Sequence, residues 1–186
     1  MTEPKLKKAK CYLDPIFSKK LYSSLIGKRL FPNTKEFTES MGILNACLKI
    51  AEFKGYKRGE NKLTVVIVGD GKRPRTGALI ASDTNWNVIS IDPNFTTEST
   101  FDVVRLKVYK SKIEDMKELY FEGPIIICFP HSHASIDQAL LKLKSEERHI
   151  ISMPCCFQDG IGDANLNYTD ERVMSEKNKI NLYLNI

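Results

Sequence analysis

Two short apolar runs constrain this chain more than anything else in it. Leu63-Thr-Val-Val-Ile-Val68 ends on Gly69-Asp-Gly71, and Val88-Ile-Ser-Ile91 ends on Asp92. The first run is continuously apolar and β-branched and so reads as a strand covered on both faces of a parallel sheet, and Val88 to Ile91 reads as the second strand. Gly69 and Gly71 permit positive φ, or a close approach of backbone to a ligand. Pro74 has its ring φ pre-set for a first helical turn. A helix is therefore expected from near Arg73, with Ala78, Leu79 and Ala81 on the sheet and Asn85 beyond its end. Its free N–H groups and dipole would point at whatever lies above the glycines. Asp92 then falls about 20 residues beyond the glycines, where doubly wound folds place a carboxylate that accepts hydrogen bonds from ribose hydroxyls. The pattern implies a nucleotide-type ligand; a tight glycine turn and an aspartate that only caps a loop is the plainer alternative.

The rest of the chain continues the alternation of strand and helix. Asn33 or Thr34 caps an expected long helix, along which Phe37, Met41, Leu44, Leu48 and Ala51 recur at helical spacing until Gly55. Further strands are expected at Val103 to Tyr109, Ile125 to Phe129 and Ile150 to Met153, with helices at Lys112 to Leu119 and about Ser135 to Leu143. The terminal Lys179 to Ile186 reads as a last, antiparallel edge strand. The fold class is α/β, a doubly wound, mostly parallel Rossmann-like sheet with helices on both faces.

Charge divides the 186 residues into two parts. Residues 1 to 29 carry eight basic side chains against two acidic ones, Glu3 and Asp14, although the whole chain has a net charge of only +5. Residues 1–33 are therefore read as a basic arm and 34–186 as the folded domain. An arm whose lysines between residues 5 and 29 interleave with Tyr12, Phe17 and Tyr22 suits RNA or another nucleic acid; a solvated tail is the alternative. No apolar run approaches the roughly 20 residues of a membrane span, and the first residues lack the apolar stretch of a signal peptide. Five cysteines without scaffold-like spacing suggest reduced thiols. A cytoplasmic or nuclear protein, neither secreted nor membrane-bound, is expected. A partner protein that helps to hold a substrate is left open.

Over residues 34 to 186 the order of these features resembles class I S-adenosylmethionine-dependent methyltransferases: the covering helix, Val68-Gly-Asp-Gly71 opening a helix, Ile91-Asp-Pro93 ending the second strand, Ile113-Glu-Asp115 after the third. The resemblance implies S-adenosylmethionine as cofactor, with Gly69, Asp70 and Gly71 at its methionine part, Asp92 at its ribose and Glu114 or Asp115 facing its adenine. Pro130-His-Ser-His-Ala134 together with Met153-Pro-Cys-Cys156 is similar to the tRNA ribose methyltransferase branch, where a histidine loop after strand four and a Cys-Cys after strand five recur. The chain departs from the family in having Ile67 where an acid is usual, and Lys72, Arg73 and Arg75 beside the glycines.

No acceptor motif of the common nitrogen or ribose methyltransferases ends the fourth strand. His131 and His133 stand there instead and are the candidate catalytic residues, because a neutral imidazole can take a proton from an attacking hydroxyl or amine; a merely structural role in the loop is the alternative. His131, His133, Cys155 and Cys156 raise the question of zinc. Adjacent cysteines on an extended chain point apart, so no metal site is expected. Two functions follow: a methyltransferase with RNA as acceptor, or a catalytically inactive methyltransferase-like module that binds or assembles through its basic arm.

Overall fold

The structure, a computed structural model, describes residues 11–14, 25, 27, 29–59, 62–96, 103–156 and 161–186. Its centre is a seven-stranded sheet. In chain order the elements are α1 (Thr34–Lys54), β1 (Thr64–Val68), α2 (Arg75–Asp83), β2 (Asn87–Ile91), β3 (Leu106–Tyr109), β4 (Leu119–Tyr120), β5 (Ile125–Pro130), α3 (Ile136–Lys142), β6 (Leu143–Lys144), β7 (Arg148–Met153), β8 (Leu166–Thr169) and β9 (Lys179–Leu184). The strand order is β3-β2-β1-β5-β7-β9-β8, with β4 and β6 forming a separate two-stranded pair. The first five strands run parallel, and β9 is antiparallel to both of its neighbours.

The apolar runs form central strands because both of their faces are covered. Val65 and Ile67 of β1, with Ile126 and Cys128 of β5, face a core shared with Ile43, Leu44 and Ile50 of α1 and Leu79 and Ile80 of α2. Their neighbours Val66, Val68, Ile127 and Phe129 face the second core, built with Ile113, Met116, Ile136 and Ala139. Period-two alternation thus divides one hydrophobic run between two cores. Helix α1 starts where Asn33 Oδ1 accepts from Glu36 N at 2.9 Å and stops at Gly55, whose φ of 75° lets its N–H reach the Ala51 and Glu52 carbonyls. No helix among the described residues is long and apolar enough to cross a membrane.

Several elements differ from expectation. Residues 112 to 118 form bends and one turn, not a helix, and Leu119 begins β4: Met116 N donates to Ile113 O at 3.3 Å, and Ser111 Oγ bonds the Lys112 carbonyl instead of capping a first turn. Eight residues without a cap do not overcome the nucleation cost of a helix. The terminal strand β9 is antiparallel as expected, but it lies inside the sheet; β8, short and largely exposed, forms the edge beside it. Ile180 and Leu182 bury against the α1 face while Tyr183 packs on the other, so β9 has two covered sides. The third strand begins at Leu106, not Val103, and α2 begins at Arg75.

Tyr12 is buried, its hydroxyl donating to Asp170 Oδ2 at 2.6 Å beneath the Arg172 guanidinium, so it offers no exposed stacking platform. Leu25, Leu30 and Phe31 join the same core. Lys5, Lys7, Lys8, Lys10, Phe17, Lys19, Lys20, Tyr22 and Lys28 lie outside the described residues.

Candidate cofactor cleft

The chain leaves β1 for β2 and β3 on one side and later places β5 and β7 on the other, so β1 and β5 flank the topological switch point. In open α/β sheets ligands bind in the crevice at the carboxyl ends of such strands. Here that crevice is a cleft of about 1030 Å³. Gly69, Asp70, Gly71, Asp92, Glu114, His131 and His133 all line it; Asp115 does not.

Gly69 and Gly71 both sit in the left-handed region, at φ 84° and 80°. At Gly69 a Cβ would also lie 2.3 Å from Ser132 Oγ, so no side chain fits between the glycine loop and the loop after β5. Gly69 N donates to Ile91 O at 2.8 Å, holding the loop against the end of β2. There Asp92, nearly buried, accepts from Gly71 N at 2.8 Å through Oδ2 and from Asn94 N at 2.7 Å through Oδ1.

Asp70 differs from its neighbours. Its carboxylate turns under α2, where Oδ1 accepts from Thr76 N and Oδ2 from Gly77 N, each at 2.9 Å, with Ser90 Oγ adding a third bond at 2.8 Å. Pro74 precedes the helix without a side-chain cap, and Asp70 supplies the missing acceptor from the other end of the turn. Burial pushes this carboxyl up to about 6, even though the amides of Gly77 and Thr76 and the Ser90 hydroxyl pull it down.

The basic residues of the loop do not crowd the cleft. Among Lys72, Arg73 and Arg75 only Arg75 lines it, and its guanidinium meets Glu36 Oε2 at 2.8 Å; Arg73 turns away to the Arg29 carbonyl. Ile67, at the position usually acidic in the resembled family, is fully buried against the helices.

The far wall comes from the loop after β5. His131 adopts a φ of 51° and brings Nε2 to 3.0 Å from Glu39 Oε1 of α1. The two are within ion-pair distance but off a hydrogen-bonding line, so the Glu39 oxygen and both ring nitrogens have no hydrogen-bond partner although they are buried. Burial pushes the Glu39 carboxyl up, but His131 and Lys35 outweigh it and hold the group below its ordinary value. Glu39, Lys35 and the Met174 to Lys177 segment completing this wall had no signal in the sequence. Lys35 and Glu39 reach the cleft on α1, and Met174 to Lys177 reach it from the connection between β8 and β9.

The second histidine of that loop does not join the first. Pro130 pairs with Met153, and His131 N donates to Met153 O at 2.9 Å, so the chains leaving β5 and β7 run side by side. This places His133 against the two cysteines: Nε2 is 3.3 Å from Cys155 Sγ, Nδ1 is 3.5 Å from Cys156 Sγ, and the two sulfurs are 3.8 Å apart. The argument that adjacent cysteines must point apart fails here because residues 155 and 156 form a bend past the end of β7.

No known family model matches the sequence, and no curated protein matches it. Among solved structures, an E-to-Q mutant of MtNAS in complex with S-adenosylmethionine superposes over 94% of this chain and 70% of its own, with a TM-score of 0.57 at 14% identity. The plantazolicin methyltransferase BpumL in complex with SAH matches 77% of this chain and 57% of its own, with a TM-score of 0.42 at 13% identity. The likeness is one of fold: the chain has an α/β, Rossmann-like fold shared with a protein solved in complex with S-adenosylmethionine.

Proposed function

We propose that the cleft binds S-adenosylmethionine and that the protein is a methyltransferase. The observation that carries this reading is the pairing of the two left-handed glycines with Asp92 at the switch point. The missing Cβ atoms let Ser132 and the Arg75 guanidinium close against the glycine loop, which fixes the loop beneath the cleft with Asp92 beside it. Each Asp92 oxygen already accepts one N–H and keeps a lone pair for a ribose hydroxyl. Glu114 at the rim suits an adenine amino group as acceptor. Asp70, committed to α2, shapes the loop and makes no ligand contact in this reading. A structural neighbour solved with S-adenosylmethionine supports the same cofactor.

When bound, the cofactor supplies a sulfonium methyl group to a nucleophile. His131, which lines the cleft, is our candidate to take the proton from that nucleophile once the acceptor reaches its buried ring, and the ionised Glu39 beside it would stabilise the imidazolium that results. His133 is the weaker candidate, because its ring is engaged with two thiols. The excess of positive charge in residues 1–29 makes RNA the first acceptor class to test.

Isothermal titration with S-adenosylmethionine and with S-adenosylhomocysteine, repeated on Asp92→Ala, tests the reading. Micromolar binding that the variant loses is expected. Absence of binding to either compound by the folded wild-type protein overturns it.

A further inference from the structure

We propose that His133, Cys155 and Cys156 form a zinc site on the rim of the cleft. One ligand atom from each of the three residues lies within 4.8 Å of the other two. Zinc bonds of about 2.3 Å to sulfur and about 2.0–2.1 Å to nitrogen put the S–S edge of a tetrahedral site at about 3.8 Å and the S–N edge at about 3.5 Å. The sulfurs are 3.8 Å apart, and His133 Nδ1 is 3.5 Å from Cys156 Sγ. The S–S edge and one S–N edge therefore match those of a single ion; Cys155 Sγ faces the other ring nitrogen, Nε2, at 3.3 Å, so binding requires the imidazole to turn one nitrogen towards both thiolates.

The donor set selects the metal. Two thiolates and an imidazole are soft to borderline ligands that favour zinc over calcium or magnesium. His133 and Cys156 are exposed and Cys155 partly so, which leaves a path for the ion. The scaffold is fixed on both sides: the β5–β7 ladder holds His131 and Met153 together, and the Lys177 ammonium bonds the Cys155 carbonyl. Three protein ligands leave a fourth position. His133 and Cys155 line the cleft, so the fourth position is available to water or to a ligand entering from it, as in catalytic zinc sites. The site shares no residue with the Gly69, Gly71 and Asp92 set, although His133 and Cys155 line the same cleft.

The test is zinc content by elemental analysis of the full, reduced chain after equilibration with zinc sulfate and desalting, with cobalt substitution as a spectroscopic readout. Wild-type protein and Cys11→Ser, a substitution at an exposed thiol elsewhere, are expected to retain about one equivalent. Cobalt should give thiolate charge-transfer absorption and the visible bands of a tetrahedral site. Cys156→Ser and His133→Ala should lose most of the zinc while keeping the wild-type circular dichroism spectrum. Failure of the folded wild-type protein to retain zinc overturns the proposal, as does zinc that survives unchanged in the double variant Cys155→Ser, Cys156→Ser. Neither readout involves S-adenosylmethionine, so its result is separable from that of the cofactor titration.

Discussion

Ser90 Oγ donates to Asp70 Oδ2 at 2.8 Å, so the last turn of β2 is bolted to the same carboxylate that holds the start of α2. The glycine loop, the helix and the second strand thereby share one buried anchor. Asp70→Ala would leave the N–H groups of Thr76 and Gly77 and the Ser90 hydroxyl without their acceptor. Each buried donor so orphaned costs about 1–3 kcal/mol, and partial access of water reduces the sum. We expect a loss of about 2–4 kcal/mol in urea unfolding. A loss below about 1 kcal/mol would show that the anchor is dispensable.

The same carboxylate imposes a pH dependence. Its folded-state pKa is raised from 3.8 to about 6 by burial, so between these values the folded chain holds a proton that the unfolded chain has released. Stability contributed by this group therefore falls as pH rises through that window and is level above it, the opposite sign to a carboxylate held low by a partner. The full effect is about 3 kcal/mol. Glu39, Glu147 and Asp170 are shifted downwards and slope the other way at lower pH, so the contrast is best read as the difference between wild type and Asp70→Asn. That difference should change between about pH 4 and pH 6 and stay constant from pH 7 to 8. A flat difference throughout would mean that Asp70 titrates normally.

Gly77 in the first turn of α2 is there for space, not for φ. A Cβ on it would stand 2.0 Å from Ser90 Oγ, 3.0 Å from Leu106 Cδ1 and 3.3 Å from Asp70 Oδ2. Alanine has the higher helix propensity, yet Gly77→Ala is expected to destabilise by about 1–3 kcal/mol through overpacking. Removing the hydroxyl with Ser90→Ala relieves the closest contact, so the double variant should be more stable than the sum of the single changes, by about 1 kcal/mol. Additivity within about 0.3 kcal/mol would place the strain elsewhere.

How much of this was legible in the chain depended on whether the signal was local. β1 and β5 were, because a strand covered on both faces must be apolar throughout. Asn33 and Gly55 marked the ends of α1 through their own cap geometry. The expected helix at 112–119 failed because apolar residues at 113, 116 and 119 fit a buried turn at Ile113 and Met116 followed by a strand at Leu119 as well as they fit a helix. β8 is an edge strand with little to bury, and its Leu-Asn-Tyr-Thr has no pattern to betray it. An aspartate between two glycines looks the same whether it faces a ligand or the amides of the next helix, so the role of Asp70 could not be read. The meeting of His133 with Cys155 and Cys156 depends on the β5–β7 register and on a bend beyond β7, neither of which leaves a local mark.

Glu39 and His131 provide a test of chemistry within the proposed methyltransferase. Glu39 arrives from α1 and His131 from the end of β5, and only the crossing of helix over sheet brings Oε1 to 3.0 Å from Nε2. If the imidazole takes the acceptor's proton, His131→Ala should lower kcat by about 10²–10⁴-fold, with the dissociation constant of S-adenosylmethionine within about threefold of wild type. Glu39 acts through the imidazole as a positioning and charge-stabilising residue. Glu39→Gln keeps its shape, removes its charge, and is expected to lower kcat by about tenfold with cofactor affinity again preserved. A structural role for the pair would instead reduce binding and thermal stability together and leave kcat of the surviving folded protein unchanged. Single-turnover rates at saturating cofactor, measured beside thermal unfolding on both variants, separate the two outcomes. Turnover within about threefold of wild type in both variants would remove His131 from the chemical step.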